Sequence, residues 1–162
     1  MTRWIAPTFA AVACALAAPH AAAQSTPLAP DVLARCASQV LQLREESTRL
    51  TQKSAEIDVR RNAINERSAA LKTERDALKP DDLEGGLAVR QHLQDHHAQT
   101  VAFNGEVEKL KTEIRAVNVL KRDYDSACAN RSYRRADLDA LPEAARNAMR
   151  AGLGGVQVPY IE

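Results

Sequence analysis

Positions 36, 43, 50, 57, 64, 71 and 78 are Cys, Leu, Leu, Ile, Ile, Leu and Leu, an apolar row in strict seven-residue steps. Such a row forms one stripe along an α-helix, and no glycine or proline interrupts residues 31 to 79. The segment is therefore expected to be one helix of roughly 70 Å at about 1.5 Å per residue, N-capped by Asp31 and stopped by Pro80. With the row as heptad d, the a positions are Leu33, Val40, Ser47, Ser54, Arg61, Ser68 and Arg75. The seam is thus doubly apolar only at its Cys36 end.

A second stripe runs back. Steps of three and four give Val89, Leu93, His96, Thr100, Phe103, Val107, Leu110, Ile114, Val117, Lys121, Tyr124 and Cys128, apolar or cysteine except at His96, Thr100 and Lys121. Asn104-Gly105 would ordinarily mark a turn, but the stripe passes through it, so a continuous helix is expected at a cost of about 1 kcal/mol for the glycine. Cys36 and Cys128 each lie 46 residues from Asp82. The chain therefore reads as an antiparallel hairpin in which facing residue numbers total 164, setting Leu50 on Ile114, Ile57 on Val107, Leu71 on Leu93 and Arg61 over Phe103.

The N-terminal segment fixes the expected compartment. Arg3, an apolar run from Trp4 to Ala18 and Ala21-Ala22-Ala23 before Gln24 form a signal-peptide pattern over residues 1–23. The run is about 15 residues, short of the roughly 20 that span a bilayer, with Pro7 inside it and Pro19 directly after it. Cleavage would leave a periplasmic or secreted chain beginning with a flexible linker, residues 24–30. In that oxidising setting Cys36 and Cys128 should pair as a structural clasp, since no Cys-x-x-Cys or cysteine-histidine cluster points to redox or zinc chemistry.

Charge and composition narrow the function. Arg3 is the only charged residue in the leader, so its removal lowers Lys plus Arg from 22 to 21, equal to the 21 Asp plus Glu. A neutral chain lacks the basic surface of a nucleic-acid binder, and 4% aromatic residues leave little for base stacking. His92 and His96 share a helix face, but further ligands are missing, so no metal and no cofactor is expected. His96 instead accepts a hydrogen bond from Ser68 across the seam in this reading. No nucleophile, base and oxyanion site converge, and no catalytic residue is expected.

Two segments remain as partner contacts. The tip, residues 79–86, holds Asp81, Asp82 and Glu84, with a capping box starting the second helix early and Gly85-Gly86 as a joint. After Cys128 come Arg131, Tyr133, Arg134 and Arg135, then a short helix opened by Pro142 and closed by Gly152, then an alternating tail through Val156, Val158, Tyr160 and Ile161. The tail either packs on the base of the hairpin or is offered to another protein. The basic cluster allows at most peripheral membrane contact. Val59, Val101, Val119 and Leu120 lie off the seam and are candidate contacts for a homo-oligomer.

In size, leader and hairpin arms, residues 31–128 resemble the periplasmic holdase chaperones of the Skp type. Those proteins begin with an apolar strand that builds a trimeric body and carry basic arms, whereas Gln24 to Pro30 is polar and proline-rich and this chain is neutral. The expected class is all-α: a two-helix antiparallel coiled coil with a short C-terminal helix and extended tail. The expected role is a non-enzymatic interaction or spacer module of the cell envelope, with an envelope or secreted protein as partner; a holdase is the alternative.

Overall fold

A computed structural model describes residues 26–160. The signal-peptide reading and Ile161 lie outside the described residues. Four helices follow in order: α1 (Pro30–Asp76), α2 (Leu83–Ala127), α3 (Arg135–Asp139) and α4 (Glu143–Ala151). α1 and α2 form the hairpin, α4 packs on α1 at its base, and there is no strand among the described residues. The tail after Gly155 has no regular structure, so its alternating pattern reflects extended packing rather than a strand.

The expected register holds along the rod. Cys36 and Cys128 are disulfide-bonded, their Cα atoms 5.8 Å apart. Arg49 and Lys53 each reach Glu113 at 2.8 Å, Arg60 pairs with Glu106, and His92 Nδ1 meets Glu74 at 3.1 Å. Each of these pairs has residue numbers totalling within two of 164. Every residue of the α2 stripe is buried or half-buried except Leu93, which is 40% exposed at the seam edge. α2 runs through Asn104-Gly105 without a break.

Three details of the seam differ from expectation. Arg60, not Arg61, lies over the Phe103 ring, 5.8 Å from its centroid, because its bond to Glu106 draws it across the interface. Arg61 instead pairs with Asp58 at 2.7 Å. Nearer the tip Ser68 and Arg75 are exposed, while Arg67 and Glu74 turn towards the seam and bond each other at 2.9 Å. Ser68 therefore does not serve His96, whose buried Nδ1 has no hydrogen-bond partner. This polar stretch interrupts the hydrophobic core: the main cluster ends at Ile57 and Phe103, and Leu71 and Val89 are buried apart from it.

The helix ends follow local chemistry. Pro30 occupies the first turn of α1, where its missing N–H costs nothing, so Ala29 and not Asp31 is the N-cap. Asp31 lies in that first turn, favourable to the helix dipole, and approaches Arg35 at 3.9 Å. α1 stops at Asp76, short of Pro80, and residues 77–82 make the turn. Asp82 caps α2, accepting a hydrogen bond from the Gly85 N–H at 2.8 Å. No capping box forms, because the third helical position is Gly85 with no side chain to return the bond. Gly85 and Gly86 are helical rather than a joint.

That cap makes the two glycines unequal. A Cβ on Gly86 meets nothing within 4 Å, whereas one on Gly85 falls 2.3 Å from Asp82 Oδ2. Gly86→Ala is expected to stabilise the start of α2 by about 0.5–1 kcal/mol. Gly85→Ala should give no such gain, since displacing the Asp82 cap costs about 1 kcal/mol. Amide exchange at residues 83–89 distinguishes the two variants: slower in Gly86→Ala, unchanged or faster in Gly85→Ala.

The base is closed by the described segments outside the hairpin. Leu28, Leu138, Ala148 and Met149 are buried in the main cluster with Leu33, Cys36 and Val40, and Tyr133, Leu141, Ala145, Leu153, Val156 and Val158 pack against it. Leu28 N–H also donates to Ser132 O at 2.8 Å, so the segment expected as a free linker is anchored at that residue. α4 begins after Pro142 and ends at Gly152, which adopts φ +55°, a region that favours glycine. α3 is an additional short helix. The tail then runs along α1 as a strap.

Candidate functional site

The strap decides where a partner can reach the rod. Arg44 of α1 donates to Gly152 O from Nε at 3.1 Å and Nη2 at 2.8 Å, and to Gly154 O from Nη2 at 3.2 Å. Ser47, at a seam position that lacks an apolar side chain, donates to Gln157 O at 2.5 Å and accepts from Gln157 N at 3.0 Å. It is the one buried polar residue among the described residues. The strap thus fills the gap the serine leaves, and Val156 and Val158 restore apolar contact there. Of the two readings of the tail, packing on the hairpin is the one observed.

The expected contact residues consequently separate. Asp81, Asp82 and Glu84 lie together at the exposed tip. Tyr160, 86% exposed, lies at the end of the strap beside Lys111, Ile114, Arg115 and Asn118 of α2. About 30 residues of α2 separate Ile114 from the tip, roughly 45 Å at about 1.5 Å per residue. Asp82 is occupied by its cap, which leaves Asp81 and Glu84 as the free carboxylates of the original trio.

Beside them the structure adds two residues that the sequence reading missed. Leu83 is 81% and Leu87 65% exposed, and with Asp82, Gly86 and Arg90 they line a shallow cleft on the first turns of α2. Their four-residue spacing was the available signal, since it puts both on one helix face away from the Val89 stripe. Early capping by Asp82 makes that face helical from Leu83 onward. Of the other candidate contacts, Val59, Val101 and Val119 are exposed singly, while Leu120 packs against the core and is not free for a second copy.

Ion pairs tune the rod between tip and base. Hydrogen bonds from Lys53 and then Arg49 hold the Glu113 carboxyl below its ordinary range, and bonds with His92 and then Arg67 do the same for Glu74. Both groups bind protons less readily folded than unfolded. Their stabilisation is therefore present above the unfolded carboxyl pKa and lost as pH falls through the lower folded value. The melting temperature is expected to decline from about pH 5 to about pH 3, with a shallower slope in Glu113→Gln and at high salt, because both pairs are partly exposed. Burial pushes the Tyr124 phenol at the base upward, assisted by Asp125.

Among the described residues no three His, Cys, Asp or Glu side chains converge on a metal-sized site, and no helix is long and apolar enough to cross a membrane. The fold defines a disulfide-clasped helical hairpin with a closed base. Comparison with protein-family models, with curated proteins and with solved structures found no match.

Proposed function

We propose that the protein is an exported, non-enzymatic interaction module of the cell envelope, a rigid rod that presents its tip to one protein partner. The observation that carries this reading is the asymmetry of the two ends. At the base, disulfide, strap and short helices bury most of the apolar side chains, Leu41 and Tyr160 apart, whereas at the tip Leu83 and Leu87 stay exposed together beside Asp81 and Glu84. An apolar pair rimmed by carboxylates fits a partner surface with an apolar patch flanked by Lys or Arg. The disulfide and the leader pattern support export to the periplasm or beyond.

A holdase is the second reading, favoured by the exposed Val59, Val101 and Val119 along the rod. These side chains stand singly, as is ordinary on a soluble surface, which ranks this reading below the tip. Leu83→Glu with Leu87→Glu tests the choice. Sedimentation of tagged chain extracted from its native envelope should show a discrete larger complex for the wild type and only free chain for the variant, with equal melting temperatures. A complex that survives both substitutions contradicts the tip reading.

A further inference from the structure

We infer that the groove beneath residues 152–158 is a binding site for extended peptide, closed in the resting chain by its own strap, and that it takes an extended segment of another protein when the strap lifts. The expected occupant has branched apolar residues at alternate positions and is neutral or acidic. This site lies at the base and does not depend on the tip.

The bound strap shows what the groove recognises. All five hydrogen bonds between the strap and the Arg44 and Ser47 side chains involve strap main-chain atoms: four are donated to the carbonyls of Gly152, Gly154 and Gln157, and Ser47 accepts the fifth from the N–H of Gln157. Main-chain recognition is indifferent to most side chains, so a foreign chain satisfies it when it presents a glycine turn to Arg44, as residues 152–155 do, and an extended segment to Ser47. Specificity comes from Val156 and Val158, two residues apart and half-buried against the core, with Gln157 exposed between them. Arg44 at one end and Arg115 beside Tyr160 at the other give the groove positive ends.

The strap is built to leave without unfolding its support. Gly152 at φ +55° and Gly155 at φ +79°, with Gly154 between, tether it, while α4 stays docked through Ala148 and Met149. Departure leaves the Ser47 hydroxyl and the Arg44 guanidinium without their strap partners and placed to bond an incoming main chain.

The test uses a fluorescent peptide of residues 152–160 and the full disulfide-bonded chain carrying Val156→Asp and Val158→Asp, which expel the strap but leave the groove intact. This variant should bind the peptide at least about tenfold more tightly than the wild type, whose groove is self-occupied. Adding Arg44→Ala should weaken binding about tenfold, three hydrogen bonds to two main-chain carbonyls being lost. Absence of saturable binding to a variant with native circular dichroism overturns the proposal, as does binding indifferent to Arg44→Ala. Should the variant fail to fold, a photoreactive form of the peptide with wild-type chain decides: adducts within residues 40–54 or 111–118 support the groove, and adducts only elsewhere overturn it.

Discussion

Replacing Cys36 and Cys128 together by serine is expected to lower the unfolding free energy by roughly 3 to 4 kcal/mol, the largest effect of any change that leaves the helices' own packing in place. The bridge closes a separation of 92 residues, for which chain entropy alone gives about 4.7 kcal/mol. It matters more here than in a globular domain, because the main core is one helix-helix seam plus a small base and has no second layer. Both cysteines are buried, 0% and 5% exposed, so part of the loss is packing. Urea unfolding of oxidised and double-serine chains measures it. The midpoint should fall and the denaturant slope rise, since the uncrosslinked unfolded chain exposes more surface. Coincident curves would mean that the seam alone stabilises the hairpin.

Truncating one seam leucine in the proximal half should cost nearly as much. Leu50 and Leu110 are fully buried, and Leu50→Ala or Leu110→Ala is expected to destabilise by about 2 to 5 kcal/mol through lost burial and the cavity left behind. Leu93→Ala, at a position equally apolar in sequence but 40% exposed, should cost less than about 1 kcal/mol. Leu71 discriminates further. It is 1% exposed yet separated from the main cluster by Arg67 and His96, so Leu71→Ala should speed amide exchange between residues 64 and 96 while leaving the base protected. Uniform loss of protection along the rod would show that tip and base unfold as one unit.

The hairpin was legible because three independent signals agreed: two long apolar stripes, a proline-containing acidic break between them and cysteines placed symmetrically about it. Register followed from the cysteines alone, and the ion pairs of Glu113, Glu106 and Glu74 fall where it puts them. What escaped the reading depends on which neighbour a polar side chain chooses. Ser47 marked the seam as lacking an apolar side chain, whereas its hydroxyl is a socket for Gln157, 110 residues away. The choice between Arg60 and Arg61 at Phe103, or between Arg67 and Ser68 at the tip, turns on rotations smaller than heptad labels resolve. Pro30 displaced Asp31 from the cap by one position, within the usual uncertainty of helix ends.

At the tip, the acidic residues were visible in sequence and their apolar neighbours were not. Leu83 and Leu87 became a surface only because Asp82 caps α2 ahead of both glycines. A glycine joint would have left them in a turn. The feature that best supports a partner-binding end thus rests on one carboxylate and one glycine without a Cβ.

Whether the tip presents itself to one partner is decided by photo-crosslinking in the native envelope, with a photoreactive amino acid placed at position 84 or 87 in the tip and, for comparison, at position 59 on the rod. One dominant protein adduct is expected from both tip positions and little from position 59. A broad set of unfolded client proteins captured equally from all three positions would contradict the tip reading and establish the holdase instead.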